Sequence, residues 1–258
     1  TPPAVAARYP DLAGRVAVVT GGSRGIGAQT ARALAANGAD VALIARDEQA
    51  LAEVASGIAA AGGNALPIRA DATVEDDIAR AATAITGRLG PVDILAPFAG
   101  GNGMPVPTAQ ETVTHWREVV DSELTSMFIC VHAFLPGMIE RRRGAIVTMA
   151  SAAARQAARS SAAYAAAKAG VVAFTRHLAA EVGPDGVRVN CVAPSATLNE
   201  RMLTWTTEEQ RTQLAASFPL RRIGQPEDVA AATLFLASDA SAWITGVTLD
   251  VAGGKIMV

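Results

Sequence analysis

Residues 16–27 read Val16-Ala17-Val18-Val19-Thr20-Gly21-Gly22-Ser23-Arg24-Gly25-Ile26-Gly27, a short apolar run that leads into a glycine-rich turn. The apolar run predicts a buried strand, and the helical pattern that follows begins inside the turn. Glycines at such a turn let the backbone approach a pyrophosphate, which the free N–H groups and positive dipole end of the helix attract. The Gly-x-x-x-Gly-x-Gly spacing in this strand-to-helix context favours a dinucleotide site over a plain structural turn.

Outward from this turn, short apolar runs alternate with longer stretches of helical period. Strands are predicted at 16–20, 41–45, 65–69, 94–96, 145–149, 187–192 and 248–251. Helices are predicted at 26–37, 49–61, 74–89, 113–142, 162–182 and 226–236. This alternation predicts an α/β fold, a Rossmann-type doubly wound parallel sheet of about seven strands in a single domain.

The chain of 258 residues shows no break in composition that would separate two domains. We interpret residues 1–14 as an N-terminal arm and residues 15–258 as one dinucleotide-binding domain. Residues 193–225 form a long connection, which is typical of a substrate lid. Its apolar side chains, Met202, Leu203, Trp205 and Phe218, fit an apolar or aromatic substrate face, and fit a packed lid equally well.

Composition narrows the classes of partner. With 22 basic and 24 acidic residues, the formal charge of −2 provides no field for nucleic acid or an anionic membrane, so we expect a small-molecule partner. The two cysteines and three histidines have no metal-ligand spacing, and we expect neither a disulfide framework nor a metal. No signal-peptide pattern occurs, nor a run of about 18 uncharged apolar residues. A cytoplasmic enzyme is the expectation.

Two arginines bear on the choice of cofactor. Arg46 follows the second predicted strand, where an acidic residue would hold the ribose hydroxyls of NAD, and Arg24 lies inside the glycine turn. Two guanidinium groups that converge there would bind a 2′-phosphate, which predicts NADP(H). In the alternative, both arginines are solvated and Asp47 supplies the ribose acid.

Tyr164 and Lys168 are four residues apart in a predicted helix, so their side chains share a face. A nearby ammonium favours the phenolate form of tyrosine, which makes the hydroxyl a competent proton donor in reduction and acceptor in oxidation. Tyr164 could otherwise be a half-buried helix aromatic. The only other tyrosine, Tyr9, lies in the predicted arm.

The glycine turn, a serine at a strand end and the Tyr164–Lys168 pair, in this order, resemble the classical short-chain dehydrogenases/reductases, and the chain is similar to their 3-oxoacyl reductases. The resemblance spans essentially the whole sequence. It implies that Ser151, thirteen residues before Tyr164, hydrogen-bonds the substrate oxygen, although a plain helix cap is the alternative. It also implies a homo-oligomer, a tetramer in particular.

The resemblance completes the expected cofactor site. It implies that Asp71 and Ala72 lie beside the adenine, that Ala99 and Gly100 let the cofactor approach, and that Pro194 and Thr197 meet the carboxamide. The full expected set is Gly21, Ser23, Arg24, Gly25, Ile26, Gly27, Arg46, Asp71, Ala72, Ala99, Gly100, Tyr164, Lys168, Pro194 and Thr197.

Two departures from the family pattern stand out. Pro97 and Phe98 replace a pair of asparagines, which bears on stability more than on chemistry. Glu123 occupies the position of an asparagine that shapes a proton-relay water, and we count it among the catalytic candidates with Ser151, Tyr164 and Lys168. A carboxylate there could hold that water, pair directly with Lys168, or face solvent.

These residues predict an NADPH-dependent carbonyl reductase or alcohol dehydrogenase. A 3-oxoacyl-thioester reductase acting on an acyl carrier protein or CoA is the first alternative, ranked second because residues 183–186, Gly-Pro-Asp-Gly, offer no basic docking surface. A non-catalytic NADPH-binding module is the other alternative, and the joint presence of Ser151, Tyr164 and Lys168 argues against it.

Overall fold

The computed structural model describes residues 8–101 and 103–257. Within them lies one parallel sheet of seven strands in the order β3-β2-β1-β4-β5-β6-β7. The strands are β1 (Val16–Thr20), β2 (Asp40–Ala45), β3 (Asn64–Arg69), β4 (Ile94–Pro97), β5 (Gly144–Met149), β6 (Val187–Pro194) and β7 (Thr248–Val251). The strand order reverses between β1 and β4, which opens a crevice at the carboxyl ends of these strands. The predicted α/β fold is confirmed.

Helices cover both faces of the sheet. They are α1 (Gly25–Ala36), α2 (Glu48–Ala60), α3 (Glu75–Leu89), α4 (Val113–Val120), α5 (Ser126–Glu140), α6 (Ala162–Val182), α7 (Glu200–Trp205), α8 (Glu208–Ala216) and α9 (Pro226–Ala237). Side chains of α1, α2 and α9 share one buried apolar cluster with the sheet, and those of α3, α5 and α6 share another. Because both faces are covered, strands β1 and β4 are buried along their whole length.

The predicted helix 113–142 is wrong in one respect, because a π-helical turn, Asp121–Thr125, separates α4 from α5. Hydroxyls compete for helix carbonyls there: Ser122 Oγ donates to Val119 O at 3.1 Å and Ser126 Oγ to Ser122 O at 2.7 Å. Such π turns are frequent at functional sites, and this one contains Glu123.

The segment Val113–Glu140 is long and apolar enough, by length and composition, to cross a membrane. In this structure α5 packs as a core helix, with Met127, Cys130, Phe134 and Met138 buried against the sheet. Burial in the protein core therefore accounts for part of its apolar composition, whereas Phe128 on the same helix is exposed.

The predicted N-terminal arm and the predicted lid lie outside the alternating pattern of strands and helices. Residues 1–7 of the predicted arm lie outside the described residues, and Leu12 in the rest of the arm is buried. The predicted lid contains α7 and α8. Its Phe218 is buried, whereas Leu203 and Trp205 are exposed.

Candidate active site

The glycine turn between β1 and α1 has the geometry of an anion cradle. Gly21 has φ +68°, and a Cβ there would lie 2.8 Å from the carbonyl oxygen of Phe98. A Cβ on Gly27 would lie 2.2 Å from the carbonyl oxygen of Gly21. Helix α1 begins at Gly25, and its N-cap, Arg24, makes no side-chain cap hydrogen bond. Its first N–H groups thus have no capping side chain, which fits a pyrophosphate.

The remaining cofactor candidates follow the carboxyl ends of strands. Asp71 and Ala72 follow β3, Ala99 and Gly100 follow β4, and Pro194 ends β6. In a parallel sheet these ends meet at one edge. The structure therefore brings these residues to the same edge as the glycine turn, where they fit a dinucleotide. Thr197 follows β6, is buried and pairs with Gly224 of the predicted lid.

The two arginines predicted to converge on a 2′-phosphate are each paired with a different aspartate. Arg24 Nη2 lies 2.6 Å from Asp47 Oδ2, and Arg46 Nη1 lies 3.8 Å from Asp71 Oδ2. Their side chains are 61% and 81% exposed, so both stay accessible. Burial acts to raise the pKa of Asp71, but hydrogen bonds from Thr73 and the charge of Arg46 hold it below its ordinary value.

Ser151 and Tyr164 lie at the starts of two helical segments. Ser151 follows β5 and is the N-cap of a 3-10 turn, Ala152–Ala154, where its Oγ accepts a hydrogen bond from Ala153 N at 3.2 Å. Tyr164 lies in the first turn of α6, and its N–H donates to Oγ of the N-cap Ser161 at 3.2 Å. Ser151 thus has the capping role of the alternative interpretation and is also half-buried at the carboxyl edge.

Lys168 is buried beside Tyr164. Its Nζ donates to the carbonyl oxygen of Met149, the last residue of β5, at 3.0 Å, and lies 5.7 Å from the centre of the Tyr164 ring. A carbonyl of the sheet therefore orients the ammonium towards the tyrosine.

Glu123 reaches the same position from the π-helical turn. Its Oε2 lies 3.0 Å from Lys168 Nζ, and its Oε1 accepts a hydrogen bond from Gly101 N at 2.6 Å. Its side chain is fully buried and does not face solvent. Burial would lower the pKa of Lys168, but the carboxylate of Glu123, with a smaller contribution from Tyr164, raises it above its ordinary value. The lysine is therefore held as an ammonium.

Two glycines after β4 leave room for the side chains of Glu123 and Tyr164. A Cβ on Gly100 would lie 2.6 Å from Glu123 Oε2, and a Cβ on Gly103 would lie 3.3 Å from the Tyr164 ring. The sequence pattern indicates Gly100 for the cofactor, but it does not indicate Gly101, Gly103 or the Met149 carbonyl. No local pattern marks them, because each contact joins distant parts of the chain. Among the described residues, no group of three or more His, Cys, Asp or Glu side chains could hold a metal.

A parallel sheet that carries a glycine-turn anion cradle and a Ser–Tyr–Lys set along one edge defines a nicotinamide-dependent oxidoreductase. Residues 21–255 match a family model described as enoyl-(acyl carrier protein) reductase. The chain belongs to the short-chain dehydrogenase/reductase family.

Relatives match over nearly their whole length. The chain is 38% identical to the 3-oxoacyl-[acyl-carrier-protein] reductase FabG of Vibrio cholerae serotype O1, over 96% of this chain and 100% of the relative. It is also 38% identical to the cis-4-hydroxycyclohexanecarboxylate dehydrogenase of Sinomonas cyclohexanicum, over 96% and 98%. A crystal structure of a Brucella melitensis 3-oxoacyl-[acyl-carrier protein] reductase with bound NAD has a TM-score of 0.88 and 34% identity, over 100% of this chain and 97% of that one. Relatives with similar overall sequence thus act on different substrates.

Proposed function

We propose that this chain is an NADPH-dependent carbonyl reductase, or in reverse an alcohol dehydrogenase, for ketones or aldehydes. The observation that carries the proposal is the placement of Lys168, whose ammonium lies beside Tyr164 on a carbonyl of β5. A buried cation next to a half-buried tyrosine is the arrangement that a proton donor at a carbonyl oxygen needs.

The proposed roles follow from the geometry. In reduction, Ser151 Oγ donates a hydrogen bond to the carbonyl oxygen, and Tyr164 transfers its hydroxyl proton to the same oxygen. Lys168 stabilises the tyrosinate that remains until solvent returns a proton to it, and Glu123 keeps Lys168 charged. A bound nicotinamide cofactor supplies the hydride to the carbonyl carbon.

The preference for NADPH rests on Arg24 and Arg46. Both guanidinium groups are exposed at the edge of the sheet, and each is held by one aspartate, Asp47 or Asp71. A 2′-phosphate would compete with these carboxylates and bind both cations. In the competing arrangement Asp47 accepts the ribose hydroxyls of NADH and Arg24 stays paired with it.

A second candidate function is reduction of a 3-oxoacyl thioester, which the names of two relatives favour. In this structure the loop at 183–186 carries Asp185, which lies 3.5 Å from Arg142. A basic side chain thus does lie beside this loop, but a carboxylate neutralises it. Comparing 3-oxoacyl-CoA with simple ketones separates the two candidates. A cytoplasmic homotetramer is the remaining part of the proposal, and light scattering against the chain mass of 26.3 kDa tests the tetramer.

The experiment that tests the reaction is Tyr164→Phe, assayed by NADPH oxidation with a panel of ketones, aldehydes and 3-oxoacyl-CoA. Loss of the proton donor should lower kcat by about 10²–10⁴-fold, while cofactor fluorescence reports unchanged binding. The matched control is Tyr9→Phe, the only other tyrosine in the chain, which should turn over normally. Full turnover by Tyr164→Phe would exclude this mechanism. Cofactor binding without turnover by the wild type would favour a non-catalytic module.

A further inference from the structure

A second ion pair lies at the carboxyl edge of the sheet, apart from the residues assigned above. Arg155 Nη2 lies 3.0 Å from Asp250 Oδ2, and the two side chains are 23% and 13% exposed. Arg155 follows Ser151 by four residues, and Asp250 belongs to β7. Because β6 separates β5 from β7 in the sheet, this pair reaches across the end of β6.

The segment that carries Ser151 has little regular structure of its own. It consists of one 3-10 turn, in which Ala154 N donates to Ser151 O at 2.9 Å and Arg155 N to Ala152 O at 3.0 Å. A single turn of this kind is marginal in isolation. Residues 156–160 continue it without a helix or strand. The orientation of Ser151 therefore depends on contacts between this turn and the rest of the protein.

Two contacts join the turn to the C-terminal part of the chain. Ala152 packs in a small apolar cluster with Ala252 and Ile256, and Arg155 binds Asp250. Alanine contacts are weak and have no preferred direction, whereas a guanidinium–carboxylate bond has a defined geometry. Ala154 of the same turn also packs against the larger apolar cluster that includes side chains of α6. Of these contacts, the ion pair is the one that gives the turn a directional bond.

The two charges depend on each other. Arg155 Nε and Asp250 Oδ1 are buried and have no hydrogen-bond partner within the described part of the chain. A buried charge that loses its partner is left uncompensated, so separating the two side chains is energetically costly. Asp250 also lines a cavity of about 330 Å³ with Phe218 and Leu220 of the predicted lid. The pair therefore lies where the turn Ala152–Ala154, β7 and the predicted lid meet.

We propose that the Arg155–Asp250 ion pair positions Ser151: it holds the turn Ala152–Ala154 against β7 and so sets where Ser151 Oγ meets the substrate oxygen. This inference rests on the proposed role of Ser151 in carbonyl reduction. Arg155 and Asp250 are positioning residues, since they act through Ser151.

The first test is Asp250→Asn, which keeps the size of the side chain and one acceptor oxygen but removes the charge. Displacement of a substrate-positioning group slows the chemical step, so kcat should fall about tenfold, with the KM for NADPH unchanged. The primary isotope effect with 4-deuterated NADPH should rise as hydride transfer becomes limiting. Asp185→Asn is the matched control, because it removes the same charge from the Arg142–Asp185 pair without touching the turn, and it should behave as wild type.

Hydrogen exchange of the amides of Ala153, Ala154 and Arg155 provides a second readout that needs no turnover. Exchange should be faster in Asp250→Asn than in the wild type or Asp185→Asn, with β5 and α6 unchanged. Because both partners belong to one contact, the double variant Arg155→Met/Asp250→Asn should lose no more kcat than the worse single variant. Thermal melting verifies that each variant is folded.

The outcomes separate this inference from the proposed function. If the wild type reduces ketones and Tyr164→Phe does not, an unchanged kcat in folded Asp250→Asn overturns the positioning role alone. If the wild type turns over no substrate, the proposed function fails, and the exchange experiment decides whether the pair holds the turn. Unchanged exchange in Asp250→Asn overturns the inference in either case.

Discussion

The ammonium Nζ of Lys168 lies 3.0 Å from Oε2 of Glu123, and both side chains are buried at the carboxyl edge of the sheet. In the pattern that the sequence resembles, an asparagine stands at the position of Glu123. A neutral neighbour of the lysine is thus replaced by a charged one. The charge beside Tyr164 is therefore a coupled Lys168–Glu123 pair and not Lys168 alone.

Glu123→Gln tests this coupling. The variant keeps an acceptor for Gly101 N but removes the charge, so the pKa of Lys168 should fall and the alkaline limb of the kcat–pH profile should move to lower pH. Cys191 also raises the pKa of Lys168, but its contribution and that of Tyr164 are smaller than that of Glu123. The measurement is kcat with saturating NADPH from neutral to alkaline pH. Asp121→Asn, at an exposed position of the same π-helical turn, is the control, and an identical profile for Glu123→Gln would make Glu123 a bystander.

Stability should depend on pH through the same pair. Because the pKa of Lys168 is raised in the folded state, its stabilising contribution is fully present below the unfolded value of about 10.4 and is lost as pH rises through the folded value. Glu123→Ala should cost about 3–5 kcal/mol at neutral pH, as for a broken buried ion pair. The difference in free energy of unfolding between wild type and variant, measured by denaturant titration, should shrink only at strongly alkaline pH.

The features that could be predicted from the sequence are those determined by residues close together in the chain. Residues 16–19 are apolar because β1 is covered on both faces, and Gly27 is a glycine because the turn leaves no room for a Cβ. The contacts of Glu123 with Gly101 and of Arg155 with Asp250 join residues 22 and 95 positions apart. No periodicity encodes such contacts, since they depend on which strand ends the fold brings together.

In the cofactor site, too, the sequence indicates the residues, and the fold determines which partners they contact. The sequence marked Arg24 and Arg46 as cations near the ribose, and the structure supplies their partners, Asp47 and Asp71. Under the NADPH proposal, Arg24→Ala and Arg46→Ala should each raise the KM for NADPH about tenfold or more, as for loss of a charge-assisted hydrogen bond, and leave the KM for NADH nearly unchanged. Arg32→Ala, exposed on α1, is the control. An unchanged KM for both cofactors would favour the alternative in which the arginines are solvated and Asp47 holds the ribose.

The glycine turn can be tested by two glycine-to-alanine substitutions, one inside the turn and one outside it. Gly27→Ala places a methyl group against the carbonyl oxygen of Gly21, so it should weaken NADPH binding and cost about 1–3 kcal/mol of stability, as overpacking does. Gly57→Ala, within α2 and with no atom within 4 Å of the added Cβ, should instead stabilise the protein by about 0.5–1 kcal/mol. Fluorescence titration and thermal melting measure both effects. Wild-type NADPH affinity in Gly27→Ala would exclude a close backbone approach at this turn.

The contact between the predicted lid and α9 should respond to acid through Asp228, which belongs to α9. Both oxygens of Asp228 bind Arg222, at 2.5 and 2.7 Å, and Gln225 N donates to Oδ2 at 2.7 Å. The Arg222 hydrogen bonds hold the pKa of Asp228 below its ordinary value even though burial opposes them. The contribution is therefore present above the unfolded value of about 3.9 and is lost as pH falls through the folded value. Asp228→Asn should lower the melting temperature at pH 7, and the difference from wild type should vanish in strong acid. A difference that persists there would mean that packing, and not the charge of Asp228, stabilises this contact.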